Sequence, residues 1–232
     1  LTAPTATTSR PSAGWTCPTG AAPRVRELIP ERIEPSRGET AYLVRLLEAK
    51  DIAGAGLLSS NRADGSNDQS LYLPELDRVR RIAGDRRGGR FVGSDLYYED
   101  LQERKPSRDR HRLLDQLTVK GVSFEVLECT PIEPEDSVYL KRISWIDPQT
   151  LLAHRVDYFE RDPTAPFKRW ELLAHKRIQG DWTATDSLVT DLKTGHSTQL
   201  TVEKAVYDRK LPARLFSAQT LADDGIEQEF RP

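Results

Sequence analysis

The chain has 232 residues, 37% hydrophobic and 30% charged, with 34 basic side chains set against 36 acidic ones. This near-neutral balance gives no electrostatic reason to expect nucleic acid as a partner, and no apolar run approaches the roughly 20 residues needed to span a bilayer. The two cysteines, Cys17 and Cys129, make neither a disulfide framework nor a zinc site, and leave open only a single Cys17–Cys129 bond.

Residues 1–23 are rich in Thr, Pro, Ala, Ser and Gly, with Trp15 as their one large apolar anchor. Such a segment buries too little to offset its ordering entropy and reads as a poorly specified arm. From Arg24 onward the pattern is one domain. Strands are expected at 24–34 and 40–50 around the turn Pro35-Ser36-Arg37-Gly38, where Tyr42, Val44 and Leu46 alternate. A further strand spans 53–60, with Gly54 and Gly56 allowing a bend or a close backbone approach. After a polar loop at 61–68, short strands 70–73 and 79–83 flank Pro74-Glu75-Leu76-Asp77.

The second half is more regular. Leu113, Leu117 and Val119 share one face of a strand that breaks at Gly121, and Val122, Phe124 and Val126 line the next. Strands 138–147 and 152–159 follow, then one carrying Trp170, Leu172, Ala174 and Ile178. Trp182, Ala184, Leu188 and Leu192 mark another, and Leu200, Val202 and Val206 close the series. Period-two alternation with turns every ten or so residues predicts an antiparallel meander. Two segments read as helix: 93–101, capped by Ser94 or Asp95, and 212–222. So few helices cannot cover both faces of so long a sheet, which must close on itself or curl around them.

Three strings carry a family likeness: Leu71-Tyr72-Leu73-Pro74-Glu75-Leu76, Arg78-Val79-Arg80-Arg81-Ile82, and the block from Phe91 to Leu101 that contains Gly93-Ser94-Asp95 and Tyr98-Glu99-Asp100-Leu101. Together with Tyr139–Ile143, Trp145–Asp147, and Lys193-Thr194-Gly195 with Thr198, they resemble the LolA-like group of outer-membrane lipoprotein-sorting proteins over roughly Arg24 to Asp223. The resemblance implies a mainly β fold, a single strongly curved antiparallel sheet forming an unclosed barrel with short helices plugging its mouth. It implies a periplasmic carrier, exported with a signal peptide, whose apolar cavity holds acyl chains of lipids or lipoproteins. An inner-membrane transporter is an implied partner. The alternative is an envelope sensor or adaptor that binds a partner protein through the same fold.

On this reading Tyr72, Leu96, Tyr97, Leu101, Phe124, Trp145, Tyr158, Trp170 and Trp182 are the candidates to line the cavity, since large aromatics either build apolar walls or fill a core. Arg80, Arg81, Arg86, Arg87 and Arg90 are candidates to dock anionic head groups or a partner. The competing reading pairs these arginines with Asp95, Glu99 and Asp100. Those three carboxylates lack calcium-loop spacing, so capping and arginine pairing explain them more simply than a metal does. His111, His154, His175 and His196 lie on separate strands. There is no nucleophile elbow, phosphate-cradling loop or His-Glu-x-x-His string, so no catalysis and no cofactor are expected.

Overall fold

The computed structural model describes residues 27–48 and 52–230. The arm at 1–23, Cys17 and the first residues of the opening strand lie outside them. The fold is mainly β, as expected, and its hydrogen bonding divides the curled meander into two antiparallel sheets that do not close into a barrel. The five-stranded sheet holds β1 (Glu27–Ile33), β2 (Thr40–Glu48), β3 (Gly56–Asn61), β4 (Asn67–Leu73) and β5 (Arg78–Arg81), in that order. The seven-stranded sheet holds β6 (Asp109–Val119), β7 (Val122–Pro131), β8 (Lys141–Ile146), β9 (Ala153–Phe159), β10 (Lys168–Ile178), β11 (Asp181–Asp191) and β12 (Ser197–Thr201), again in chain order. Hairpin turns make each neighbour in sequence a neighbour in space.

Alternation gives the five-stranded sheet two apolar faces. Leu28, Val44, Leu46, Leu57 and Leu71 lie on one, and they form the main core with Phe91, Leu96 and Val189. Trp170 of β10 and Leu200 of β12 pack against that core, so this face meets the seven-stranded sheet. The opposite face carries Leu43 and Leu58, covered by Leu215 and Leu221 from the C-terminal segment. Each such buried aliphatic side chain contributes about 1.5–3 kcal/mol of transfer free energy.

The C-terminal segment departs from the expected single helix over 212–222. It forms a 3₁₀ turn at Ala213–Leu215 and two short helices, α1 (Ala218–Ala222) and α2 (Gly225–Gln228). Buried ion pairs hold it down, Arg45 to Glu227 at 2.9 Å and Arg209 to Glu31 at 3.0 Å. Arg45 also donates to the carbonyls of Thr220 and Leu221. Gly56 makes this approach possible, because a Cβ there would lie 2.8 Å from both Arg45 Nη1 and Leu221 Cδ1.

The expected helix over 93–101 is likewise not formed. The chain makes two 3₁₀ turns, Phe91–Gly93 and Tyr98–Leu101. Val92 and Gly93 take φ values of 43° and 76°, which a helix cannot continue. Ser94 caps nothing. Its hydroxyl donates to the Phe91 carbonyl and accepts from the Leu96 amide, a local closure that competes with helix formation.

Candidate functional site

Residues 82–108 connect the two sheets and plug one end of the space between them. On the five-stranded side, Gln69 donates to the Tyr98 carbonyl and accepts from Gln102, at 2.8 and 2.7 Å. Arg32 and Tyr42 both donate to Glu103. On the seven-stranded side, Asp95 is fully enclosed and meets Arg90 at 2.8 Å, His196 at 2.6 Å and the Thr198 hydroxyl at 2.7 Å. Glu99 accepts from Ser137 Oγ and the Val138 amide. The three carboxylates therefore diverge to separate partners. Arginine pairing holds only for Asp95. Among the described residues no cluster of His, Cys, Asp or Glu is placed to hold a metal.

Asp100 has the most unusual partner. Its carboxylate accepts from Lys168 Nζ at 2.5 Å and from the Tyr139 hydroxyl at 2.6 Å. The ammonium sits 4.1 Å from the centre of the Tyr97 ring, 4.8 Å from Tyr139 and 4.7 Å from Tyr158. Burial pulls the lysine below its ordinary pKa while Asp100 pulls it back, and burial pushes Tyr139 and Tyr158 well up. Three electron-rich ring faces and one carboxylate thus replace the water that the ammonium has lost.

Beyond the plug the seven-stranded sheet opens. One row of cross-strand partners runs Leu113, Leu127, Ser144, Val156, Trp170, Val189 and Thr198, one residue per strand from β6 to β12. All seven point to the face turned toward the five-stranded sheet. Val189 is 1% exposed in the main core, whereas Leu113 at the far end is 51% exposed. Leu127, Ser144, Val156 and Trp170 are half-buried between them. The core covers the β10–β12 end, and exposure rises along the rest of the row, a track that is apolar except for Ser144.

The nine cavity candidates fall in several places. Trp170 lies on the open row. Tyr97 and Tyr158 surround Lys168, while Leu96 and Leu101 pack into the main core. Tyr72 packs under the C-terminal segment in the second core. Trp145 faces the other way, with Arg155 stacked 4.2 Å from its ring centre. Phe124 and Trp182 end a chain of ring contacts through His154 and His175 at 5.1, 5.5 and 5.2 Å. Desolvation and its neighbour His175 hold the His154 imidazole below the usual histidine range.

Of the five arginines, Arg81 pairs with Asp68, Arg90 with Asp95 and Asp191, and Arg87 donates to the Asp136 carbonyl. Arg80 and Arg86 are exposed. Sequence reasoning missed Lys168 and Tyr139, because a buried lysine on an amphipathic strand is written like an exposed one. It also missed Leu127 as part of the row.

The geometry has counterparts among known proteins. A family model described as "Uncharacterized protein" matches residues 38–223. The chain belongs to this family. A Vibrio parahaemolyticus structure, provisionally assigned as an outer membrane lipoprotein-sorting protein domain, is 26% identical, with a TM-score of 0.85 over 93% of this chain and 92% of its own. A DUF1329 family protein from Desulfovibrio piger is 24% identical, with a TM-score of 0.84 over 94% and 92%. A LolA superfamily protein from Nitrosomonas europaea shares the fold at 16% identity, with a TM-score of 0.70 over 92% and 90%. The fold of this family member is therefore LolA-like. No curated protein matches the sequence. Among the described residues no helix is long and apolar enough to cross a membrane.

Proposed function

We propose that the protein is a carrier in the bacterial periplasm that holds acyl chains of lipids or lipoproteins on their way to the outer membrane. The observation that carries this reading is the open row from Leu113 to Trp170. A sheet face that runs Leu113, Leu127, Ser144, Val156 and Trp170 across five strands, apolar but for Ser144 and only half-buried over most of its length, is a surface that a chain of methylenes can cover. Each buried methylene contributes about 0.8 kcal/mol, so about ten of them, most of one acyl chain, match the free energy of micromolar binding. The likeness to a structure assigned to lipoprotein sorting supports the choice of cargo. The plug supports the mode of action, since its ties to both sheets fix their separation at one end and leave the other end accessible. An inner-membrane transporter that loads the carrier, and an exported precursor, belong to the same proposal.

Native mass spectrometry of the purified protein tests this reading directly. The expected result is one or more bound lipids, released by organic extraction. Replacing Trp170 with Arg should abolish uptake of a fluorescent acyl probe while the fold persists. A folded variant that still binds the probe, or a wild-type protein that takes up no lipid at all, would sink the carrier reading.

A further inference from the structure

β5 is the free edge of the five-stranded sheet and reads Arg78-Val79-Arg80-Arg81. Val79 packs into the second core beside Tyr72, its cross-strand partner. That contact fixes the register. Arg78 and Arg80 must then emerge on the other face, opposite Leu73 and Leu71. This is the face of the main core, and Leu73 and Ile82 pack against that core on either side of the pair. The two guanidinium stems start about 7 Å apart, the spacing of alternate residues on a strand.

Both arginines are exposed, and among the described residues neither has a carboxylate partner. Of the nearby acids, Asp68 is committed to Arg62 and Arg81 and Asp77 to the Tyr72 hydroxyl, while Glu75 and Asp85 lie exposed on the turns before and after the strand. Arg86, exposed on the next turn, adds a third cation. Apolar side chains adjoin the pair on its own face, Leu71, Leu73 and Ile82, with Leu76 at 45% exposure on the preceding turn. Two unpaired guanidiniums on an apolar rim match a ligand with an anionic head and an apolar tail. Guanidinium binds phosphate oxygens in a fork geometry that few other side chains offer. An acidic peptide would satisfy the charges and leave the apolar rim uncovered. Free phosphate would do the same.

We infer that Arg78 and Arg80 form a head-group subsite that selects lipids with a net-anionic phosphate head over net-neutral ones, zwitterionic or uncharged. This rests on the carrier reading and adds to it the class of cargo. The test offers the full chain vesicles of phosphatidylcholine doped with pyrene-labelled phosphatidylglycerol or with pyrene-labelled diacylglycerol, and follows transfer to the protein. The expected result is preferential uptake of phosphatidylglycerol. The double variant Arg78→Gln, Arg80→Gln should lower that uptake about thirtyfold and leave diacylglycerol uptake unchanged, and lysines at both positions, which keep the charge without the fork, should restore only part of it. If the double variant does not fold, Arg80→Gln alone serves, with an expected loss of about fivefold.

Equal loss of both lipids in a folded variant, or no loss of either, overturns the subsite. Displacement of phosphatidylglycerol by millimolar inorganic phosphate or by polyglutamate overturns the choice of a lipid ligand. A wild-type protein that takes up diacylglycerol and phosphatidylglycerol equally leaves the carrier intact and removes the selectivity. One that takes up neither removes the carrier reading as well.

Discussion

Asp100 of the plug and Lys168 of β10 meet at 2.5 Å with side chains 7% and 2% exposed. The pair joins the segment between the two sheets to an interior strand of the larger one. Such a pair contributes little net stability compared with well-packed apolar groups, yet it is costly to break from one side.

Asp100→Ala should therefore destabilise the fold by about 3–5 kcal/mol, because Lys168 would be left charged and buried. The double change Asp100→Leu, Lys168→Met should recover most of the loss. Urea unfolding of wild type, the single variant and the double variant measures both numbers. A single Asp100 variant within 1 kcal/mol of wild type would show that the ammonium finds water instead.

A second buried carboxylate behaves differently. Glu31 is 1% exposed, and burial raises its pKa to about 7 despite the pull of Arg209. One of its oxygens, Oε2, is buried without a hydrogen bond among the described residues. The unfolded chain loses this proton near the ordinary value of 4.5, while the folded chain keeps it until about pH 7. Between those values the native state binds more protons than the unfolded state, so stability falls as pH rises. The loss approaches about 3 kcal/mol and levels off above pH 7. Glu31→Gln should flatten this slope in urea titrations between pH 4.5 and 8. An unchanged slope would place its origin in another group.

Much of this molecule is legible in its residues. The meander follows from alternation and turn signals, since Pro-Ser-Arg-Gly and similar strings punctuate it. Gly56 reads as a point of close approach and is one. The helix ends were not legible. Ser94 and Asp95 have the composition of caps, but their side chains bond locally and across to β12, and Val92 at positive φ stops the turn that would precede a helix. Nor was the face assignment of β6. Leu113, Leu117 and Val119 alternate, yet the register with β7 shifts between Leu113 and Asp115. This bulge sends Leu117 to the side opposite Leu113, and no local composition announces it. Long-range partners such as Lys168 and Asp100 are invisible for a related reason: their meeting depends on where a 68-residue separation closes.

The close approach at Gly56 makes its own prediction. Gly56→Ala should cost about 1–3 kcal/mol, the range for overpacking a filled site. The added methyl would push on Leu221 and on the guanidinium of Arg45, and so loosen α1 from β3. Hydrogen exchange of the α1 amides should rise more than that of β7. Uniform acceleration would mean global destabilisation instead.

The two faces of the seven-stranded sheet can be told apart by a matched pair of changes. Val156 lies on the open row, and its neighbour Arg155 points the other way onto Trp145. Val156→Lys places a charge in the middle of the track, where an acyl chain would have to desolvate it. Binding of a fluorescent acyl probe should fall at least tenfold, since burying an unpaired charge costs more than the methylenes around it return. Trp145→Ala removes a larger apolar side chain from the opposite face and should leave probe binding within about twofold. Both variants remain at half-buried positions, so the fold should survive, and circular dichroism confirms that before binding is read. If Trp145→Ala abolishes binding and Val156→Lys does not, the cargo lies on the other side of the sheet, and the open row is then a surface without a ligand.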